Sequence, residues 1–222
     1  MNTRTLLPRF ALTGLIYIAV NAAEAPLGFD RDATGRVPTG WTNHITGEGT
    51  PRWTVERDPT APSPSQVLKQ SRVVPRSSYP LCLLETSTVK DGLVEVKFKA
   101  VSGEIDQAAG VVWRARDAAN YYVCRANALE NNVVLYKVEQ GKRTALDITG
   151  RTGGYGVEAK ITPATWHTLR VEFVGRHHRV LLNGVELFSV NDSTFLYAGK
   201  VGLWTKADSV TLFDDFCVGN PR

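Results

Sequence analysis

Between Val111 and Val138 the chain interleaves Arg114, Arg116, Arg125, Asn127, Glu130 and Asn132 with Trp113, Tyr121, Tyr122 and Tyr136. Planar donors and acceptors beside flat rings are the chemistry of sugar recognition. A guanidinium fork pairs with vicinal hydroxyls or a carboxylate, and an aromatic face can cover the C–H face of a pyranose. The same residue types also serve a solvated sheet in which arginines pair with acids across strands, a contact worth only about 0–1 kcal/mol when exposed.

Strand parity sorts these residues. Side chains alternate between faces, so Tyr121, Val123, Arg125 and Asn127 share one side, and Tyr122, Cys124 and Ala126 share the other. By the same rule Val112, Arg114 and Arg116 lie together, opposite Val111, Trp113 and Ala115. Two neighbouring strands would then offer arginines to one surface. Glu130, beside Arg125 and Asn127, either closes the Asn127–Asn132 turn or, if the chain is a hydrolase, is the candidate general base. Gly202, Trp204 and Lys206 alternate with Val201, Leu203 and Thr205, which places Trp204 with a cation instead of with aliphatic side chains. Trp204 is then either a stacking platform or is covered by the N-terminal segment that carries Trp41 and Trp53. The expected ligand-binding set is Arg114, Arg125, Asn127, Asn132, Trp204 and Lys206.

The elements that would position this set are short, alternating and bounded by turn residues. Trp53–Arg57 reads as the first clear strand, after an irregular segment from 23 to 52. Strands follow at Gln66–Gln70, Leu81–Leu84, Leu93–Val101, Ala109–Arg116, Tyr121–Asn127, Val133–Glu139, Ala145–Ile148, His167–Val174, His178–Leu182, Glu186–Val190, Gly199–Lys206 and Val210–Val218. Asn183-Gly184 specifies a type I′ hairpin, and the best helical candidate is a turn near Asp192–Tyr197. With helical periodicity nearly absent, the expected fold is all-β, a two-sheet antiparallel sandwich of jelly-roll type forming one domain from 53 to 222 together with 23–52.

The first 22 residues have the pattern of a cleaved export signal: Arg4 and Arg9, an apolar run from Phe10 to Val20, then small residues. Arg4 and Arg9 leave with it, so the formal charge of +4 falls to about +2. That balance gives no case for nucleic acid, and no later apolar run is long enough to insert in a membrane. The expected location is periplasmic or secreted. Cys82, Cys124 and Cys217 allow at most one intramolecular bridge. His177 and His178 point to opposite faces of a strand and do not share a metal easily. Oligomeric state is not legible.

The run AGVVWRARDAANYYVCRANALENNVVLYKV, then TWHTLRVEF, LLNGVELF and GKVGLWTKADSVTLFDDF, resembles the concanavalin A-like lectin/glucanase superfamily. Within it, the chain is most similar to laminin-G-like jelly rolls and to the exported bacterial 3-keto-disaccharide hydrolase domain family, over Phe29 to Val218. The resemblance implies a curved sandwich whose concave sheet binds glycans, with a glycan as partner and in some members a structural calcium. Asp30 and Asp215 are the candidate calcium ligands, brought together if the termini meet. Retaining glucanases of this fold carry Glu-x-Asp-x-x-Glu. Here Glu104 and Asp106 form the first half, but Ala109 stands where the second Glu belongs, and both acids read as turn or cap residues. Two functions therefore stand: a glycan-binding domain, or a glycoside hydrolase of the 3-keto-disaccharide type. N-terminal sequencing of the exported protein should read Ala23-Glu24-Ala25, and a product that begins at Met1 would overturn the leader assignment.

Overall fold

The computed structural model describes residues 26–220, so the predicted leader and its cleavage site lie outside the described residues. In chain order the strands are β1 (Trp41–Thr46), β2 (Trp53–Arg57), β3 (Gln66–Gln70), β4 (Tyr79–Val89), β5 (Gly92–Ser102), β6 (Ala108–Asp117), β7 (Asn120–Asn127), β8 (Asn132–Glu139), β9 (Lys142–Ala145), β10 (Val157–Glu158), β11 (His167–Val174), β12 (His177–Leu182), β13 (Val185–Asn191), β14 (Gly199–Trp204) and β15 (Val210–Gly219). They form two antiparallel sheets. One runs β1-β4-β14-β6-β7-β8-β10, with β9 also paired to β8; the other runs β13-β12-β11-β5-β15-β3-β2.

Alternating apolar residues explain the layering. Val94, Val96 and Phe98 of β5 meet Val111, Trp113, Tyr122 and Cys124 of the facing sheet in one buried core. On the outer face of the second sheet, Lys69–Glu56, Lys97–Asp215, Arg170–Glu95, Arg179–Glu172 and Arg179–Glu186 link neighbouring strands as ion pairs, and Arg170 also pairs with Glu172 along β11. Asn183 and Gly184 adopt positive φ of 51° and 80° between β12 and β13, and Leu182 pairs with Val185. This is the type I′ turn that the dipeptide specifies.

Four expectations change. The strand expected at Ala145–Ile148 lies earlier, as β9, and Ile148 makes an isolated bridge to Val190. Trp41–Thr46 is a strand on β4 instead of part of an irregular entry. Trp41 and Trp53 pack inside the sandwich, Trp41 against Phe29 and Phe216 and Trp53 against Phe213, so neither lies over Trp204. Among the described residues there is no helix. At 192–197 the chain turns without forming one: Thr194 N donates to Asp192 Oδ1 at 2.8 Å and Phe195 N to the Tyr122 hydroxyl at 3.0 Å.

His178 shows what core placement does to a titrating group. Its ring is fully buried between Trp113 and Tyr122, with centroids 5.5 and 4.8 Å away. Burial, then the nearby Arg114 charge, lowers its pKa to about 4. An unfolded histidine titrates near 6.5, so the native state binds fewer protons between these values. The stability contributed by a neutral His178 is complete above about pH 6.5 and is lost as pH falls towards 4. Denaturant unfolding should therefore lose about 2 kcal/mol more between pH 7 and pH 4.5 in the wild type than in His178→Phe; equal losses would refute the assignment.

Candidate functional site

The outer face of the β1–β10 sheet carries a second apolar cluster, including Leu81, Leu83, Val112, Tyr121, Val123, Val134, Tyr136 and Trp204. Tyr121, Val123, Arg125 and Asn127 therefore share this face, while Tyr122, Cys124 and Ala126 enter the core between the sheets. The face is concave. Arg143 of β9, at one margin, lies 4.7 Å from the ring centroid of Tyr79 on β4, near the other margin. Contact across that many intervening strands requires a strongly curled sheet.

Much of the hollow is filled by its own side chains. Tyr79 stacks on Trp204 with centroids 5.3 Å apart. The Arg143 guanidinium also sits 4.4 Å from Tyr136 and 5.7 Å from Trp204. Trp204 Nε1 donates to the Tyr121 hydroxyl at 3.3 Å, which in turn pairs with Thr46 Oγ1 at 2.7 Å. Trp204 thus lies on the expected face but is fully buried. It offers no open ring to a sugar; its cover is Tyr79 and Arg143 instead of the N-terminal segment.

Arg114 leaves the predicted surface. Its φ of 49° and the register shift after Trp113 mark a bulge that breaks alternation. Ala115 takes the place on the concave face. The Arg114 side chain instead donates to Lys90 O at 2.8 Å, Phe195 O at 2.7 Å and Asp91 Oδ1 at 3.1 Å, and lies over Phe173. It clamps loops and takes no part with Arg125.

The remaining polar residues converge at the Asn127 end. Arg125, with a side chain only 1% exposed, donates through Nη2 to Glu130 Oε2 at 3.1 Å and to the Tyr136 hydroxyl at 3.0 Å. Nη2 also reaches the Tyr155 hydroxyl at 3.3 Å. Asn127 Nδ2 donates to both Asp106 Oδ1 at 2.8 Å and Glu130 Oε1 at 3.1 Å, so one amide bridges two carboxylates. Asp106 Oδ2 accepts from Lys206 at 2.7 Å, and Asn132 Nδ2 donates to Glu130 Oε2 at 3.0 Å. The site and the β7–β8 turn are one structure, because Leu129 N donates to Asn127 Oδ1 at 3.0 Å in an Asx turn. Burial pushes the Glu130 carboxyl up. The Arg125 charge, hydrogen bonds from Arg125 and Asn132, and the Lys206 charge outweigh it and hold Glu130 below the usual carboxylate range. Glu130 is ionised at neutral pH and 40% exposed, so it can accept a hydrogen bond or a proton from a ligand.

Several members of this arrangement escape a reading of the sequence. Asp106 is buried in the network instead of capping a turn, whereas the Glu104 backbone amide donates to Asp208. Tyr136, Arg143 and Tyr155 also belong to the site. At the far rim Glu85 gathers Lys200, Thr42 and His44. The hydrogen bonds from Lys200 and Thr42 lower its pKa to about 2 against a smaller effect of burial. The calcium candidates take protein partners: Asp30 accepts from Gln66 N at 3.1 Å, and Asp215 pairs with Lys97 at 2.7 Å. Among the described residues no group of three or more His, Cys, Asp or Glu side chains could hold a metal ion.

A family model described as the 3-keto-alpha-glucoside-1,2-lyase-like domain matches residues 29–216. Among solved structures, the carbohydrate-binding module CBM66 from Bacillus subtilis is 18% identical with a TM-score of 0.62, over 82% of this chain and 96% of that one. The cellulose induced protein Cip1 is 13% identical with a TM-score of 0.61, over 83% and 93%. LamA from Z. galactanivorans, solved with laminaritriose and laminaritetraose, is 10% identical with a TM-score of 0.56, over 90% and 100%. At these identities the likeness is one of fold, the concanavalin A-like jelly roll. No curated protein matches the sequence.

The buried Lys206–Asp106 pair gives a direct check on the network, because removing one partner strands the other. Lys206→Met should lower the unfolding free energy by about 3 kcal/mol. The double variant Asp106→Asn/Lys206→Met should recover most of that loss in denaturant titrations. Additive losses would show the two side chains to be uncoupled.

Proposed function

We propose that this chain, which belongs to the 3-keto-alpha-glucoside-1,2-lyase-like domain family, is an exported glycan-recognition domain that holds a sugar ring at the Arg125–Asn127–Glu130 cluster. The observation that carries this reading is a set of buried polar atoms with no hydrogen-bond partner among the described residues. They are the donors Nε and Nη1 of Arg125 and the acceptor Oδ1 of Asn132, three of the ten such atoms among the described residues. Buried polar groups are nearly always paired, and leaving one unmade costs about 1–3 kcal/mol. A mixture of donors and acceptors around an ionised carboxylate suits a polyol, whose hydroxyls both donate and accept. A plain anion would satisfy the arginine alone. The carbohydrate-binding module and the laminaritriose-bound LamA, to which the fold is similar, support the same ligand class.

The amide bridge supports a second reading. Elimination across C1 and C2 of a 3-keto-glucoside needs a base for the C2 proton, which the C3 ketone acidifies. As that proton moves to the carboxylate, the C1–C2 double bond forms and the C1–O bond breaks, and the leaving oxygen takes a proton. Glu130 would be the base, and Asp106, tied to it through Asn127, the nearest second carboxyl group. Recognition is the better fit because both carboxylates are committed: Glu130 to Arg125, Asn127 and Asn132, and Asp106 to Lys206 and Asn127. The depressed Glu130 pKa also weakens it as a base.

Calorimetric titration of the purified protein with maltose, trehalose, sucrose and their 3-keto derivatives should show binding to members of the panel. Glu130→Gln should weaken it by about tenfold or more, the loss of a hydrogen bond to a charged group, and no sugar should be released on prolonged incubation. Release of aglycone from a 3-keto-glucoside that Glu130→Gln abolishes would replace recognition by elimination.

A further inference from the structure

Tyr155 occupies the position from which a ligand would reach Arg125. Its phenol is half exposed, so it is packed from one side only. Its hydroxyl pairs with the hydroxyl of Tyr136 and accepts from Arg125 Nη2 at 3.3 Å. The ring stands edge-on to Tyr136, with centroids 6.0 Å apart at 68°, and lies 5.9 Å from the Arg125 guanidinium. This is one hydroxyl on a flat six-membered ring, set against the arginine and carboxylate network described above.

The segment that carries it is rich in glycine and stands partly clear of the protein. Gly150, Gly153, Gly154 and Gly156 all have positive φ, a conformation that costs glycine little and other residues more. A Cβ placed on Gly150 or Gly153 would meet nothing within 4 Å, so the backbone there stands clear of the protein. Gly156 is the fixed end, since a Cβ there would lie 2.3 Å from Val133 O, and β10 begins at the next residue. Between these points the Arg151 side chain spans the loop to Gly156 O at 2.5 Å. Apart from that brace, the Tyr155 hydroxyl makes the side-chain hydrogen bonds of the 151–156 loop among the described residues.

We propose that the Tyr155 phenol is a resident stand-in for the ligand, and that a pyranose with a vicinal hydroxyl pair binds by displacing it from Arg125 and Tyr136. The proposal rests on the glycan-recognition reading and adds to it the subsite and the gate. A phenol supplies a single oxygen, which leaves Arg125 Nε and Nη1 unpaired; two adjacent sugar hydroxyls can engage a second guanidinium nitrogen as well. The exchange therefore gains hydrogen bonds, and the glycine-rich segment lets the ring leave while β10 stays paired to β8. Tyr155 then lowers apparent affinity by the fraction of molecules in which it occupies the subsite.

A gate and a stacking platform make opposite predictions for the same variants. Using maltose, trehalose, sucrose and their 3-keto derivatives, titrations of wild type, Tyr155→Phe and Tyr155→Ala should show binding tightened by about three- to tenfold as the hydroxyl and then the ring are removed. Weaker or unchanged binding by Tyr155→Ala, with wild-type affinity measurable, overturns the gate and leaves recognition standing. Failure of wild type and both variants to bind any sugar in the panel overturns recognition and gate together. Amide hydrogen exchange adds a readout that does not depend on mutation: in the wild type a bound sugar should speed exchange over Arg151–Gly156, whereas protection of that segment would identify a closing lid and refute displacement.

Discussion

A charged guanidinium beneath the concave surface is the constraint around which this end of the molecule is arranged. Arg125 cannot shed its proton at any relevant pH, and an uncompensated buried charge costs several kcal/mol. Glu130 is the compensating group, and it must arrive from a turn. The Asx turn at Asn127 sets the direction of that turn, and the Asn127 amide, already directed at Glu130, carries the network on to Asp106 and Lys206. The register of β6, β7 and β8 is thereby tied to one arginine as well as to the hydrophobic core. Even so, two nitrogens of that arginine remain without partners among the described residues.

How much of this is legible in the sequence depends on the distance over which each cause acts. Alternation in β7 places Arg125 and Asn127 correctly because nothing interrupts that strand, and Asn183-Gly184 specifies its hairpin through two residues alone. Arg114 is misplaced by the same rule, since a single residue at positive φ reverses the parity of those that follow. Asp106 reads as a loop acid because its partners lie 21 and 100 residues away. For Trp204 the side is readable and the exposure is not: Tyr79 and Arg143 reach it only because the sheet curls, and curvature is a property of the assembled strands. The strand at Trp41–Thr46 sits between Gly40 and Gly47 and has few alternating apolar residues, so only its pairing with β4 reveals it.

The two sheets handle polar residues differently, and the contrast localises function. On the outer face of the β13–β2 sheet ion pairs run along and between strands, with Arg179 and Arg170 each meeting more than one acid. Such pairs are worth little individually, but they leave that face with its charges matched. Across the hollow of the other sheet, charges are packed against rings. Arg143 lies over Tyr136, Tyr79 and Trp204, and this layer fills the middle of the groove.

Filling the middle restricts the geometry of any ligand. A groove open from rim to rim can hold an extended polysaccharide across several strands. Here the Tyr79–Trp204–Arg143 layer blocks that course and separates the Glu85 rim from the Arg125 end. At the Glu85 rim the carboxylate is already engaged by Lys200, Thr42 and His44, whereas donors and acceptors without partners gather at the other. A sugar held at that end alone would be a single ring or the terminus of a chain, presented to Arg125 and Glu130 past Tyr155.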